Sequence, residues 1–261
     1  MGKFKIVHFV LSIFVRILFY NKTIIIINGM RRSGNHAFIL WLANAIESKP
    51  VTMDYTIHSH CGVSDTKGIF HINETNTLCI SEILRIYKEF RYTLKNSKYI
   101  LVSYEDCSPN YYHFLNLYST YNIFVNRNLL NMVASRLKGL LNLAKNGFGW
   151  PSFNIDRGLF DKILDWNNSN NTIIWQYESW LENESYRTQF LKKLNLSYDL
   201  MPNIASHGGG SSFVKKEQIV PSNTVNRYKQ IDWPERIVNL FKEESYSSLL
   251  TPQEKEYLKN L

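Results

Sequence analysis

Residues 29–36 read Gly-Met-Arg-Arg-Ser-Gly-Asn-His. Arg31 and Arg32 bring two positive charges, Ser33 brings a hydroxyl, and Gly29 and Gly34 let the chain turn sharply. Asn35 and His36 follow, just before an apolar stretch. Such residues in so short a span are suited to holding an anion by side-chain charge and backbone N–H groups together. A second pair, Arg127 and Ser135, lies eight positions apart. With a helix beginning between them, both can reach one bound phosphate. Glu105 and Asp106 end an apolar run and offer carboxylates for proton transfer.

The elements that must position these groups are legible around them. Ile24 to Ile27 are consecutive β-branched residues, the mark of a strand buried on both faces. Gly29 ends the strand. Ala37, Phe38, Leu40, Trp41, Leu42 and Ala45 continue with helical spacing. Strand, basic turn and helix present a helix amino end to a ligand. The Gly29–Gly34 spacing matches the G-x-x-x-x-G half of a P-loop, but Asn35 and His36 stand where Lys and Ser or Thr belong. The cations come earlier, on Arg31 and Arg32, so the anion is expected to be held by protein charge without a metal. The plainer alternative is a strand–turn–helix junction with surface arginines.

Tyr99 to Ser103 and Tyr121 to Val125 read as further buried strands. Tyr104, Glu105 and Asp106 lie at the carboxyl end of one, Asn126 and Arg127 at the end of the other. Pro50 to Tyr55 reads as a short strand, residues 56–78 as irregular, and Ser81 to Tyr92 as an amphipathic helix. A helix follows Arg127 through Met132, Val133, Leu137 and Leu140, and residues 144–155 form a loop. Asn171 to Gln176 is a strand, followed by a helix to about Leu194. His207 to Ser212 is a second glycine-rich loop, and helices near 234–243 and 252–260 close the chain. Alternating strands and helices predict an α/β, three-layer, P-loop-like fold with a central parallel sheet flanked by helices. Ligands bind at the carboxyl ends of such strands, so the basic turn, Glu105, Asp106 and Arg127 are expected along one edge.

The chain has 261 residues, 44% hydrophobic and 14% aromatic, enough for a packed core. Its net charge of +8 favours an anionic partner. The basic residues are scattered and no helix-turn-helix or zinc pattern appears, so nucleic acid is not the expected partner. Cys61, Cys79 and Cys107 make no close pairs, which favours a reducing, cytoplasmic compartment. His58, His60, His71 and Cys61 fit no standard ligand spacing, and no metal is expected. Residues 1–22 read as an amphipathic helix ahead of one domain over 23–261. Between Phe4 and Tyr20, Lys5, His8, Ser12 and Arg16 form one polar stripe on an apolar cylinder. That pattern suits peripheral contact with a membrane surface through residues 4–20, or packing on the domain itself.

The turn RRSGNHAFI resembles the 5′-phosphosulfate loop of sulfotransferases that use 3′-phosphoadenosine 5′-phosphosulfate (PAPS), which reads roughly Pro-Lys-Ser-Gly-Thr-Thr. Arg32 falls on the Lys position, Ser33 and Gly34 match, and Asn35 and His36 replace the Thr pair. IFVNRNLLNMVASRLKG resembles the family's 3′-phosphate motif through Arg127 and Ser135. IIWQYESWLENESYRTQFLKKLNL is similar to its later strand, Tyr-Glu turn and helix. HGGGSSF sits where the family has a third cofactor-contacting loop, in a form closer to bacterial-type members. The resemblance runs from about Thr23 to Phe213. It implies cofactor contacts from Arg31, Arg32, Ser33, Gly34, Asn35, His36, Arg127, Ser135 and Tyr177, the last to adenine, and from Gly209, Gly210, Ser211 and Ser212. Gly-Gly-Gly departs from the basic third loop of the cytosolic animal enzymes.

Sulfuryl transfer to a hydroxyl needs a base for the acceptor proton and cations for the departing phosphate. The resemblance places the base at Glu105 and the cation at Arg32, with 3′-phosphoadenosine 5′-phosphate (PAP) as product and no metal. Asp106, one residue on, is expected to point elsewhere if the strand pleat persists. A Glu base resembles the carbohydrate branch, so the acceptor implied is a hydroxyl of a saccharide or glycolipid. Two other readings stand beside this one. Tyr99 to Asp106 as an acid-tipped strand fits a P-loop-like nucleotide kinase or NTPase. The amino-terminal helix and basic face fit a non-enzymatic peripheral membrane adaptor.

Overall fold

A computed structural model describes residues 21–58, 61–73, 80–110, 120–145, 154–202 and 226–261. The amino-terminal helix expected over 4–20 and the glycine-rich loop at 207–212 lie outside the described residues.

Strand β1 (Thr23–Gly29) is the middle of the fold. Its isoleucines alternate between two cores. Ile25 and Ile27 pack with Phe38, Trp41 and Leu42 of α1 (Asn35–Glu47). Ile24 and Ile26 pack with Ile86, Phe90 and Leu94 of α2 (Ile80–Asn96). A strand covered on both faces has no polar side to show, hence its unbroken apolar run. β5 (Tyr99–Glu105) and β6 (Tyr121–Asn126) flank it in parallel. β7 (Ile173–Gln176) lies beyond β6, also parallel.

On the far side of β5 the sheet departs from the expected parallel arrangement. β2 (Met53–His58), β3 (Cys61–Ser64) and β4 (Ile69–Ile72) form an antiparallel meander, and only β4 runs parallel to β5. The seven-stranded sheet is therefore mixed, in the order β2-β3-β4-β5-β1-β6-β7. Two of these strands occupy the stretch read as irregular. Each is four residues long, and the turn joining them passes through Lys67 in a left-handed conformation at φ 59°. Strands so short carry too few residues to display a period.

Helix α3 (Leu129–Lys145) follows β6 and packs under α4 (Arg157–Asn167), an element the sequence pattern does not reveal. The helix expected after β7 is two helices, α5 (Tyr177–Glu182) and α6 (Glu184–Lys193). They break at Asn183, whose side chain accepts the Tyr186 N–H as an N-cap. A 3₁₀ turn (Arg227–Gln230) precedes α7 (Glu235–Lys242) and α8 (Pro252–Lys259). Among the described residues no helix is long and apolar enough to cross a membrane.

The carboxyl-terminal helix braces the start of α3. Glu254 is buried; its Oε1 accepts the Leu130 N–H at 2.8 Å and its Oε2 accepts the Thr251 N–H at 2.9 Å. Glu254→Ala strips the acceptor from a buried N–H and opens the capping box of α8. The expected cost is about 1–3 kcal/mol, read as a lower urea midpoint. An unchanged midpoint would remove Glu254 from the account of how α3 is anchored.

Candidate functional site

Sheet register sets the site. Gly29 at the end of β1 lies opposite Glu105 on one neighbour and Val125 on the other. Asn126 pairs with Gln176. The residues that leave these strands, namely Met30 onward, Asp106, Arg127 and Tyr177, therefore rise along one edge, at a place where β1 has successors on both sides. Parallel sheets form ligand crevices at such a switch in strand order.

The basic loop begins with a turn closed by the Ser33 N–H on the Met30 carbonyl at 2.9 Å. Arg32 sits third in that turn at φ 72°, in the left-handed region. Gly34 follows at φ 106° and begins α1, with no side-chain cap and no acidic residue in the helix's first turn. An amino end left in that state favours an anion. A Cβ on Gly34 would stand 2.5 Å from the Tyr177 ring, so glycine is required by backbone angle and by space alike.

The two arginines do different things. Arg31 turns to β5, with its Nε 3.0 Å from Glu105 Oε2. Asn35 donates to the other oxygen, Oε1, at 3.1 Å, and accepts from Ser33 Oγ at 2.9 Å. Ser33 and Asn35 are both buried, and they prop Glu105 from beneath. Arg32 lies against α3, where a Cβ on Gly139 would meet its Nη2 at 3.3 Å. Gly139 is one turn beyond the buried Ser135. Burial lowers the Arg32 pKa; Glu105 opposes that shift, while Arg136 and Arg127 add to it.

Arg127 is buried beside the loop. Its Nη1 donates to the Arg32 carbonyl at 3.0 Å, its Cζ stands 4.6 Å over the Tyr177 ring, and its Nε lies 3.7 Å from Glu178 Oε1. Glu178 also accepts from the Asn128 N–H at 3.0 Å and from Asn131 Nδ2 at 3.3 Å. Burial still raises its pKa, against Arg127 and these donors. Tyr177 is thus held between Gly34 and Arg127, and its ring continues into a cluster with Trp175 and Trp180.

Three contributors are not apparent from the sequence. Arg227 arrives on the 3₁₀ turn, anchored by its N–H on Asn131 Oδ1 at 3.1 Å. Burial pushes its pKa down to about 10, helped by Arg127 and Arg32 and opposed by Tyr177 and Glu178. It therefore belongs to the same charged group, although nothing in its local sequence marks it. Glu178 reads in the sequence only as part of a turn. Arg136 directly follows Ser135, and that adjacency is the one available signal. Its Nε donates to the Arg31 carbonyl at 3.1 Å, its Nη1 to the Asn154 carbonyl at 3.3 Å, and its Nη2 to Asp106. Asp106 is a correction. It does not continue the pleat of β5 but turns left-handed at φ 56°, and its Oδ1 accepts the Arg31 N–H at 2.9 Å. Gly209, Gly210, Ser211 and Ser212 lie outside the described residues.

On the other side of Glu105 runs a buried polar line. Ser103 Oγ donates to Asn73 Oδ1 at 2.9 Å and lies 3.1 Å from His71 Nε2. With its proton given to Asn73, Ser103 accepts from Nε2–H, and His71 Nδ1 is left to accept from the Tyr55 hydroxyl at 2.5 Å. Among the described residues no three His, Cys, Asp or Glu side chains gather as a metal set.

The chain matches no protein-family model and no curated protein sequence. Among solved structures, it is similar to the crystal structure of mouse sulfotransferase SULT7A1 complexed with PAP. The identity is 15%, over 91% of this chain and 88% of that one, with a TM-score of 0.47.

His71 gives the site's neighbourhood a pH signature. Burial, then the nearby charge of His36, holds its pKa down at about 3, against an ordinary 6.5. Below pH 6.5 the unfolded chain takes a proton that the folded chain refuses. The stability His71 contributes is whole above that pH and is lost as pH falls toward 3. Relative to His71→Gln, the wild type should lose about 1 kcal/mol per pH unit between pH 6 and 5. Thermal midpoints of both proteins at pH 7, 6 and 5 check this, and a pH-independent difference contradicts it.

Proposed function

We propose that the chain is a sulfotransferase that moves the sulfuryl group of PAPS to a hydroxyl of a saccharide or glycolipid. The observation that carries this reading is the gathering of Arg32, Arg127 and Arg227, with the uncapped amino end of α1, at the carboxyl edge of the sheet. Burial, and with it the nearby Arg127 guanidinium, lowers the proton affinity of both Arg32 and Arg227, and cations so placed call for an anion of several charges. PAPS carries such charge at both ends. The loop suits its 5′-phosphosulfate, Arg127, Arg227 and Ser135 suit its 3′-phosphate, and Tyr177 suits its adenine. Asp106 weighs against a Mg²⁺-dependent kinase, because its carboxylate is already engaged by Arg31 and Arg136.

In the reaction, the acceptor oxygen attacks sulfur as the bond from sulfur to the 5′-phosphate oxygen breaks. The acceptor's proton passes to Glu105, and PAP departs with the charge of the broken bond held by Arg32 and the loop. Glu105 is set for that part at the last position of β5, between the cofactor side of the edge and the side occupied by β4. Arg31 and Asn35 hold its two oxygens in place, one each. The acceptor approaches over β4 and β5, since β6 and β7 serve the nucleotide.

Glu105→Gln keeps the shape and removes the proton acceptor. Sulfate transfer from labelled PAPS to an oligosaccharide panel should fall about 10²–10⁴-fold, with PAP affinity within about twofold of wild type. Full turnover in the variant would assign the base elsewhere.

A further inference from the structure

Asp106 and Arg136 grip one residue, Arg31, by both of its backbone polar groups. Asp106 Oδ1 accepts the Arg31 N–H, Arg136 Nε donates to the Arg31 carbonyl, and Arg136 and Asp106 are bonded to each other. Arg136 is almost wholly buried, and its remaining arm donates to Asn154. The residue that follows Arg31 is Arg32, third in a turn where a left-handed conformation normally calls for glycine or asparagine. Such a conformation persists where surrounding contacts over-determine it. Here they fix both polar atoms of the preceding residue. A left-handed residue in a turn also gathers successive N–H groups toward one anion.

We propose that Asp106 and Arg136 are positioning residues for the basic loop. By holding Arg31 they keep Arg32 in its left-handed turn, and so shape the subsite for the 5′-phosphosulfate end of the nucleotide. This rests on the PAPS reading given above. The clasp reaches the 3′ end only indirectly, through the Arg127 bond to the Arg32 carbonyl, because Arg127 and Arg227 are themselves placed by the end of β6 and by the 3₁₀ turn. Arg31, committed through the same clasp to Glu105, serves the carboxylate, while Arg32 serves the anion.

The experiment compares two half-ligands by calorimetry: adenosine 5′-phosphosulfate, which lacks the 3′-phosphate, and adenosine 3′-monophosphate, which lacks the 5′ end. Asp106→Gly accommodates the left-handed backbone and removes the carboxylate. It should weaken adenosine 5′-phosphosulfate about ten- to a hundredfold, the loss a charge-assisted hydrogen bond carries, and leave adenosine 3′-monophosphate within about twofold. Asp106→Asn retains an acceptor oxygen and tolerates the same backbone, so it should restore most of the affinity. If the glycine variant does not fold, Arg136→Gln decides the matter, with a selective loss for the 5′ ligand. Equal losses for both ligands, or none for the 5′ ligand, would overturn the clasp and leave the PAPS reading intact. Failure of the wild type to bind either ligand or PAP would overturn both.

Discussion

Mutual repulsion among buried guanidinium groups is the constraint that the rest of this site answers. The buried Arg127, Arg136 and Arg227 and the half-buried Arg32 are drawn to one edge of a sheet whose faces are both covered, and like charges there are poorly screened. The compensation is specific. Glu105 faces Arg31 and bears on Arg32, Asp106 holds Arg136, and Glu178 stands beside Arg127. Among these described residues, positive charge remains in excess. That excess suits the edge to the polyanion of the proposed function, whereas an ion-pair network would need only paired charges.

The fold meets this demand through the position of β1. Because β5 lies on one side of it and β6 on the other, one loop can touch a carboxylate to its left and arginines to its right. Contacts across the edge then lock the halves together. Arg127 on the β6 side bonds the Arg32 carbonyl, Asp106 on the β5 side bonds the Arg31 N–H, and Tyr177 from β7 closes on Gly34. Rigid presentation of this kind is what electrostatic stabilisation of a departing phosphate requires, since donors already in place need no reorganisation.

How much of this is legible in the sequence follows from what each residue's neighbours are. Buried parallel strands write themselves as apolar runs, so β1, β5 and β6 stand out, and with them Glu105 and Arg127 at their ends. Charged residues at strand ends are conspicuous because the runs are not. Asp106 deceives because alternation stops with the strand; one residue later the backbone turns left-handed, and a pleat argument has no purchase there. β3 and β4 are too short for periodicity to reveal them. Arg227 is the clearest omission. It reaches the site by the path of the chain's later portion, and no local pattern in Asn-Arg-Tyr-Lys points to a partner far earlier in the chain.

In the proposed function this edge binds a nucleotide through arginines and backbone without a divalent ion. Thermal unfolding of the wild-type chain with PAP in the presence of a chelator tests it most directly, with ATP and Mg²⁺ in parallel. A ligand held at about a hundred times its Kd adds about 2.7 kcal/mol to stability, which for a chain of this size raises the midpoint by roughly 5–10 °C. The expected result is that rise with PAP and chelator, and none approaching it with ATP and Mg²⁺. Stabilisation by ATP only when Mg²⁺ is present, with PAP inert, would contradict it.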